Sequence, residues 1–216
     1  MQNKECRSFN FEVRAEENEQ HGTFITGTPI VFDQATDMGW YAERISRDAL
    51  NGCDLKDVRF LVGHNTSMIP LARSRNNNEN STMQMTVDDN GMNIRVDLDT
   101  ENNTEARALY SAVERGDISG MSFMFGVRDE EWDNLESEHP TRRIKAISTV
   151  VEVSAVTFPA YNSTTINARS KEALDNARSA LESARQQTAA AVDTDESKKT
   201  LELLKEKTKL LGGLRK

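Results

Sequence analysis

The amino-acid sequence predicts a mainly β protein with helices (α+β), in which a closed or partly closed β-barrel is flanked by helices and followed by a helical C-terminal tail. Segments with the residue pattern of β-strands dominate the chain up to residue 168. Every aromatic residue and every proline lies between Phe9 and Tyr161, so we expect the packed core in this part. We therefore predict a β-barrel domain over 1–168 and an amphipathic helical extension over 169–216.

The predicted strands are rich in residues that favour the pleated conformation. Phe24 to Phe32 and Ile144 to Phe158 are two such stretches. A hairpin is predicted where Met83 to Val87 and Met92 to Leu98 flank the sequence Asp88-Asp89-Asn90-Gly91. An Asn-Gly pair between two alternating segments is the strongest short-range signal for a hairpin.

One helix is predicted within the β-rich region, from Thr104 to Arg115. Four apolar residues recur there at helical spacing: Ala108, Leu109, Ala112 and Val113. Gly116 is expected to end this helix, because glycine readily adopts the left-handed conformation that follows many helices. A strand from Ser119 to Val127 is predicted next. Many strands with one or two helices favour a β-barrel with helical decoration.

The tail from Arg169 onward contains two narrow apolar stripes, which predict two helices. The first stripe comprises Leu174, Ala177, Leu181 and Ala184, and the second comprises Leu201, Leu204, Thr208 and Leu211. The polar segment from Thr188 to Ser197 predicts a hinge between them. Stripes this narrow cannot build a core, so two interpretations stay open: the helices dock on a partner, or they form a detachable, partly disordered extension.

Charge also divides the chain at this point. Residues 1–168 carry 16 Lys and Arg against 27 Asp and Glu, whereas residues 169–216 carry 11 against 8. An acidic body argues against nucleic-acid binding, which requires a basic surface. We predict no nucleic-acid partner.

Neither a membrane nor a metal is indicated by the sequence. There is no secretory signal and no apolar run of the length that spans a bilayer, so we expect an intracellular protein with no membrane partner. Cys6 and Cys53 lie outside any metal-binding spacing, and cytosolic cysteines are normally reduced thiols. No metal and no cofactor are predicted.

Three segments carry the chemistry. The sequence Val62-Gly63-His64-Asn65 supplies an imidazole, Gly116 to Phe125 supplies Ser122, and Val151 to Tyr161 supplies Glu152. A hydroxyl nucleophile, an imidazole base and an orienting carboxylate are the parts of a serine hydrolase. Each residue also has a structural interpretation. His64 would be a histidine at the end of a buried strand, Ser122 a small residue at a tight packing site, and Glu152 a surface residue of an edge strand.

The choice between Ser122 and Ser119 follows from strand alternation. Ser122 shares its face with Gly120 and Met124, whereas Ser119 shares its face with Met121 and the phenylalanines that follow. A nucleophile needs an open face and nearby backbone N–H donors, which favours Ser122. Glu152 interrupts an apolar run, and a buried carboxylate needs a partner that an imidazolium could supply.

In this order, the three segments resemble the prohead maturation protease family of tailed bacteriophages. The resemblance covers roughly residues 8 to 168, and Glu152 to Tyr161 is its most specific part. It implies a serine endopeptidase related in fold to the herpesvirus assembly proteases. His64 would be the general base, Ser122 the nucleophile and Glu152 the orienting carboxylate, where the herpesvirus enzymes use a second histidine. The accessory candidates are Ser154, Arg73 and Ser119.

The resemblance also implies substrates and a place of action. The major capsid protein, through its scaffolding segment, and the protease itself would be cut in the interior of the prohead, in the host cytoplasm. The helical tail would be a packaging or scaffold-like extension. A non-catalytic capsid-assembly or scaffolding protein is the alternative, and it has no reason to bring His64, Ser122 and Glu152 within hydrogen-bond reach. An esterase is disfavoured, because the chain lacks a G-x-S-x-G elbow.

Overall fold

The computed structural model describes residues 4–9, 13–18, 22–157 and 174–190, which are mostly β with two helices (α+β). The strands in chain order are β1 (Lys4–Phe9), β2 (Arg14–Asn18), β3 (Gly22–Val31), β4 (Thr36–Asp37), β5 (Ala42–Ile45), β6 (Asp57–Val62), β7 (Ala72–Arg75), β8 (Met83–Val87), β9 (Gly91–Asp97), β10 (Gly120–Asp133) and β11 (Thr141–Val156). The helices are α1 (Thr104–Glu114) and α2 (174–190).

The larger sheet has seven strands and is built around the long antiparallel pair β10 and β11. β1 pairs with the free edge of β10. The opposite edge of β11 is shared by two parallel partners: its first residues pair with β5 and its last residues with β6. β4 and β7 extend the sheet beyond β5 and β6. β11 therefore brings β6 and β10 to its two sides near its C-terminal end.

The smaller sheet has four antiparallel strands in the order β2-β3-β9-β8. It contains the predicted hairpin, which is confirmed as β8 and β9. Gly91 does not adopt a positive φ, and the turn is held by the Asp88 carboxylate, which accepts from the N–H groups of Asn90 and Gly91. Glycine is needed for space, since a Cβ at Gly91 would lie 2.0 Å from the carbonyl oxygen of Ile30.

The two sheets do not close into a barrel, so the predicted β-barrel is not supported. The larger sheet runs from β1 to two separate ends at β4 and β7, and the smaller sheet runs from β2 to β8. Periodicity along one strand predicts that the strand exists, but its partners are set by contacts distant in sequence. The predicted stretches Phe24 to Phe32 and Ile144 to Phe158 are confirmed as β3 and β11 within three residues over the described part.

The predicted helix from Thr104 to Arg115 is confirmed as α1. Asn103 caps its start, because its side-chain oxygen accepts from the N–H groups of Glu105 and Ala106. Gly116 ends it in the left-handed conformation, with φ of +77°. The buried face of α1 joins one apolar cluster that includes residues from both sheets, such as Ile25 and Phe123.

The helix α2 confirms the first predicted tail helix. It continues to residue 190, past the predicted hinge start at Thr188, whose hydroxyl donates to the carbonyl of Ala184. The second tail helix and the rest of the hinge lie outside the described residues. The chain divides into two compact units, Met1–Leu174 and Asp175–Lys216. Within the described ranges, neither helix combines the length and the apolar character needed to cross a membrane.

A buried ion network joins the strands β1, β5, β10 and β11. Its members are Glu5, Arg7, Glu43, Glu130 and Arg142. Arg7 donates to both oxygens of Glu43 and, at 2.5 Å, to Glu5. Arg142 donates to Glu5 at 2.7 and 2.9 Å, to Glu43 at 3.0 Å and to Glu130 at 2.9 Å. The network holds the edge strand β1 against the sheet.

The charge of Glu5 depends on these arginines. Burial by itself would raise the pKa of Glu5, but hydrogen bonds and positive charge from Arg142 and Arg7 hold the pKa below its ordinary value. A carboxylate with a lowered pKa stabilises the folded state at neutral pH. This contribution is lost as the pH falls from the ordinary carboxyl range through the folded-state pKa.

We expect Arg142→Met to lower the free energy of unfolding by about 3–5 kcal/mol, because three carboxylates of the network then have Arg7 as their one remaining arginine. Urea unfolding at neutral pH measures the change. The control is Arg115→Met, which removes an exposed ion pair with Asp117 and should change stability little. Equal, small losses in both variants would contradict a stabilising role for the network.

Candidate active site

His64 is the second residue after β6, where the chain turns sharply. Gly63 and His64 both have left-handed backbones, with φ of +59° and +58°. The N–H of Gly63 donates to the carbonyl of Ala155 at 2.9 Å, which ties this turn to β11. A Cβ at position 63 would meet no atom within 4 Å, so glycine is favoured there for its backbone conformation. The turn places the imidazole over the β10–β11 pair.

Three polar side chains meet His64 on one face of β10 and β11. Ser122 is directly opposite Ser154, and Met124 is directly opposite Glu152. Because side chains alternate along a strand, Ser122, Ser154 and Glu152 project from the same face. All three are buried, with exposed fractions of 0%, 0% and 1%. Phe123 and Phe125 project from the other face into the apolar core.

The imidazole of His64 is within hydrogen-bond distance of both Ser122 and Glu152. Nε2 of His64 is 2.6 Å from Oγ of Ser122, and Nδ1 is 2.6 Å from Oε1 of Glu152. The second carboxylate oxygen accepts from the hydroxyl of Ser154 at 2.5 Å. Ser154 in turn accepts from the backbone N–H of His64 at 3.1 Å.

With Glu152 ionised, the contacts are compatible with one tautomer of His64. An ionised carboxylate only accepts hydrogen bonds, so Nδ1 of His64 must donate to Glu152. In the neutral imidazole, Nε2 is then an acceptor that faces the hydroxyl of Ser122. This is the tautomer that can receive the proton of a serine nucleophile.

The hydroxyl of Ser122 has one proton to donate and two possible acceptors nearby. Besides Nε2 of His64, the backbone carbonyl of Arg7 lies 2.7 Å from Oγ. This carbonyl belongs to β1, in which Ser8 is the pairing partner of Ser122. Ser122 is fully buried in this arrangement, whereas 18% of the His64 side chain is exposed. A carbonyl substrate reaches Oγ only if the groups around Ser122 move apart.

The three accessory candidates have different surroundings. Ser154 is part of the site around His64. Arg73 is held in a two-bond ion pair with Asp57 at 2.6 and 2.8 Å, on the neighbouring strands β7 and β6. Ser119 is exposed and precedes the first residue of β10.

The chain has two histidines besides His64. His139 is exposed and lies 3.2 Å from the Asp37 carboxylate. His21 lies outside the described residues.

The Arg7 carbonyl is the part of this site that sequence reasoning missed. A main-chain acceptor leaves no mark on residue type, and the contact spans 115 residues of sequence. Only the pairing of β1 with β10 brings it to Ser122. Among the described residues, no cluster of three or more His, Cys, Asp or Glu side chains could hold a metal ion.

Comparison with known proteins gave one family. The family described as caudovirus prohead serine protease matches residues 9–178, which is more than half of the chain. No curated protein and no solved structure shows a significant match.

Proposed function

We propose that this chain, which belongs to the caudovirus prohead serine protease family, cuts peptide bonds. In this proposal Ser122 is the nucleophile, His64 is the general base and Glu152 is the orienting carboxylate. Membership of this family implies a serine peptidase that acts in capsid maturation. One observation carries the assignment of residues: the two ring nitrogens of His64 each lie 2.6 Å from one of the other two side chains. That spacing is the one expected of a nucleophile, a base and its orienter.

The proposed reaction is acyl transfer. His64 takes the proton from Ser122 as Oγ attacks the scissile carbonyl, and later gives it to the leaving amine. Glu152 holds the imidazole in the required tautomer and stabilises the imidazolium that forms. The side chain of Arg73 forms an ion pair with Asp57. We therefore propose that backbone N–H groups near Ser122, rather than Arg73, stabilise the oxyanion.

Attack requires the Ser122 proton to point at His64. In the described arrangement the Arg7 carbonyl competes for this proton, and Oγ is covered. We therefore assign the described conformation to a resting state. Before a peptide can bind, β1 and its neighbours must move so that Oγ of Ser122 becomes accessible. The ion network that holds β1 opposes this shift.

The proposed substrates are the major capsid protein, cut in its scaffolding segment, and the protease itself. Cleavage would take place inside the prohead in the host cytoplasm. We propose self-cleavage in the tail or its hinge, near Gln186 to Lys199, because the tail is rich in Lys and Arg while residues 146–168 contain none. The close approach of His64, Ser122 and Glu152 favours an enzyme over a non-catalytic scaffolding protein, which needs no such arrangement.

Replacement of the nucleophile is the principal test. We expect Ser122→Ala to abolish processing of the capsid precursor and of the protease, while the circular dichroism spectrum stays that of the wild type. Co-expression with the capsid protein, followed by electrophoresis and mass spectrometry, measures processing. The matched control is Ser119→Ala, which should process normally. Processing that survives in the Ser122 variant and is lost in the Ser119 variant would overturn the assignment.

Neutralising the carboxylate tests the role of Glu152. Glu152→Gln keeps the shape of the side chain but removes the charge that stabilises the imidazolium. We expect the rate of processing to fall by about 10⁴-fold, the loss seen when a triad carboxylate becomes an amide. Initial rates of precursor cleavage measure the effect. A change below about tenfold, which corresponds to about 1.4 kcal/mol, would indicate a structural role only.

Truncation after Ala168 tests whether the tail is separable from catalysis. It removes no aromatic residue, so we expect the remaining chain to fold and to cleave a soluble capsid-derived peptide. Incorporation into proheads should fail, because the tail is the proposed delivery segment. Mass spectrometry of the full-length protein beside its Ser122→Ala variant locates self-cleavage. An uncut tail in both, together with full incorporation of the truncated form, would refute this division.

A further inference from the structure

We propose that Ser154 is a positioning residue, whose hydroxyl fixes both the backbone of His64 and the carboxylate of Glu152. This inference rests on the proposed function, because the residues it positions are the proposed base and orienter. Ser154 lies two residues after Glu152 on β11 and directly opposite Ser122 on β10. Its side chain is fully buried.

The direction of its two hydrogen bonds is fixed. The backbone N–H of His64 can only donate, so Oγ of Ser154 accepts there, at 3.1 Å. The single hydroxyl proton then goes to Oε2 of Glu152, at 2.5 Å. The other carboxylate oxygen accepts from Nδ1 of His64 at 2.6 Å. These contacts close a ring that runs from the backbone of His64 through Ser154 and Glu152 to the imidazole of His64.

This ring explains how His64 keeps an unfavourable conformation. A residue with a Cβ rarely adopts a positive φ, and His64 has a φ of +58°. Its N–H is held by Ser154, and the preceding turn is held by the carbonyl of Ala155. Without the Ser154 hydroxyl, Glu152 loses one of its two donors and the backbone of His64 loses its anchor. The imidazole then has more freedom to turn away from Ser122.

The chain offers a matched control for this residue. Ser74 on β7 is also fully buried, but among the described residues its hydroxyl has no hydrogen-bond partner. Ser74→Ala therefore removes a buried serine hydroxyl without touching the proposed site. It should leave the cleavage rate unchanged.

Kinetics of the full-length protein on the capsid precursor provide the first test. We expect Ser154→Ala to lower kcat by about tenfold to a hundredfold through misplacement of the base, with KM within about twofold. In the Glu152→Gln background the same substitution should change kcat by less than about threefold, because residues that act as one unit are not additive. A loss confined to KM, or equal losses in both backgrounds, would overturn the proposal.

Proton NMR supplies a readout that does not depend on catalysis. The wild type should show a downfield resonance from the proton on Nδ1 of His64, which disappears in Glu152→Gln. We expect it to move or broaden in Ser154→Ala and to stay in place in Ser74→Ala. An unmoved resonance in Ser154→Ala would overturn the positioning role. A shifted resonance in a protein that cleaves no capsid precursor would uphold the positioning role while refuting the proposed function.

A second variant covers the case in which Ser154→Ala does not fold. Ser154→Cys keeps a weak donor and acceptor at the same position. We expect its kcat to lie between those of the wild type and Glu152→Gln, with the Nδ1 resonance retained but shifted. A kcat and a resonance identical to those of the wild type would overturn the proposal.

Discussion

The burial of the Glu152 carboxylate is the constraint on which the rest of the site depends. A lone charge in a packed strand is costly unless other groups donate hydrogen bonds to it. Here the donors are the imidazole of His64 and the hydroxyl of Ser154, one for each oxygen. Satisfying the carboxylate therefore fixes the tautomer of His64. The other ring nitrogen is left facing Ser122 at 2.6 Å.

The groups that satisfy this carboxylate are brought together in the middle of the larger sheet. β11 carries Glu152 and Ser154, its antiparallel partner β10 carries Ser122, and its parallel partner β6 ends beside His64. The opposite face of β10 packs Phe123 and Phe125 into the apolar core. Arg7 links the two faces, because its side chain is held in the buried ion network while its carbonyl accepts from Ser122. The residue whose side chain joins this network thus also supplies the carbonyl that contacts the proposed nucleophile.

Local patterns in the sequence predicted much of this arrangement. Periodicity predicted α1, the β8–β9 hairpin and the strands around Ser122 and Glu152, and alternation placed Ser122 on a different face from the phenylalanines. The proximity of His64, Ser122 and Glu152 was expected only from a family resemblance, since no local pattern links residues 58 and 88 positions apart. The closed barrel was wrong because pairing of strands depends on distant contacts. The Arg7 carbonyl and the ion network could not be predicted for the same reason.

The most direct measurement of the central claim is the identity of the residue that a serine-directed reagent modifies. The protein is treated with diisopropyl fluorophosphate while it processes the capsid precursor, and peptide mapping by mass spectrometry locates the adduct. We predict a single adduct on Ser122 that forms at the rate at which processing is lost. Loss of processing with the adduct on another residue, or full processing by protein modified at Ser122, would contradict this prediction.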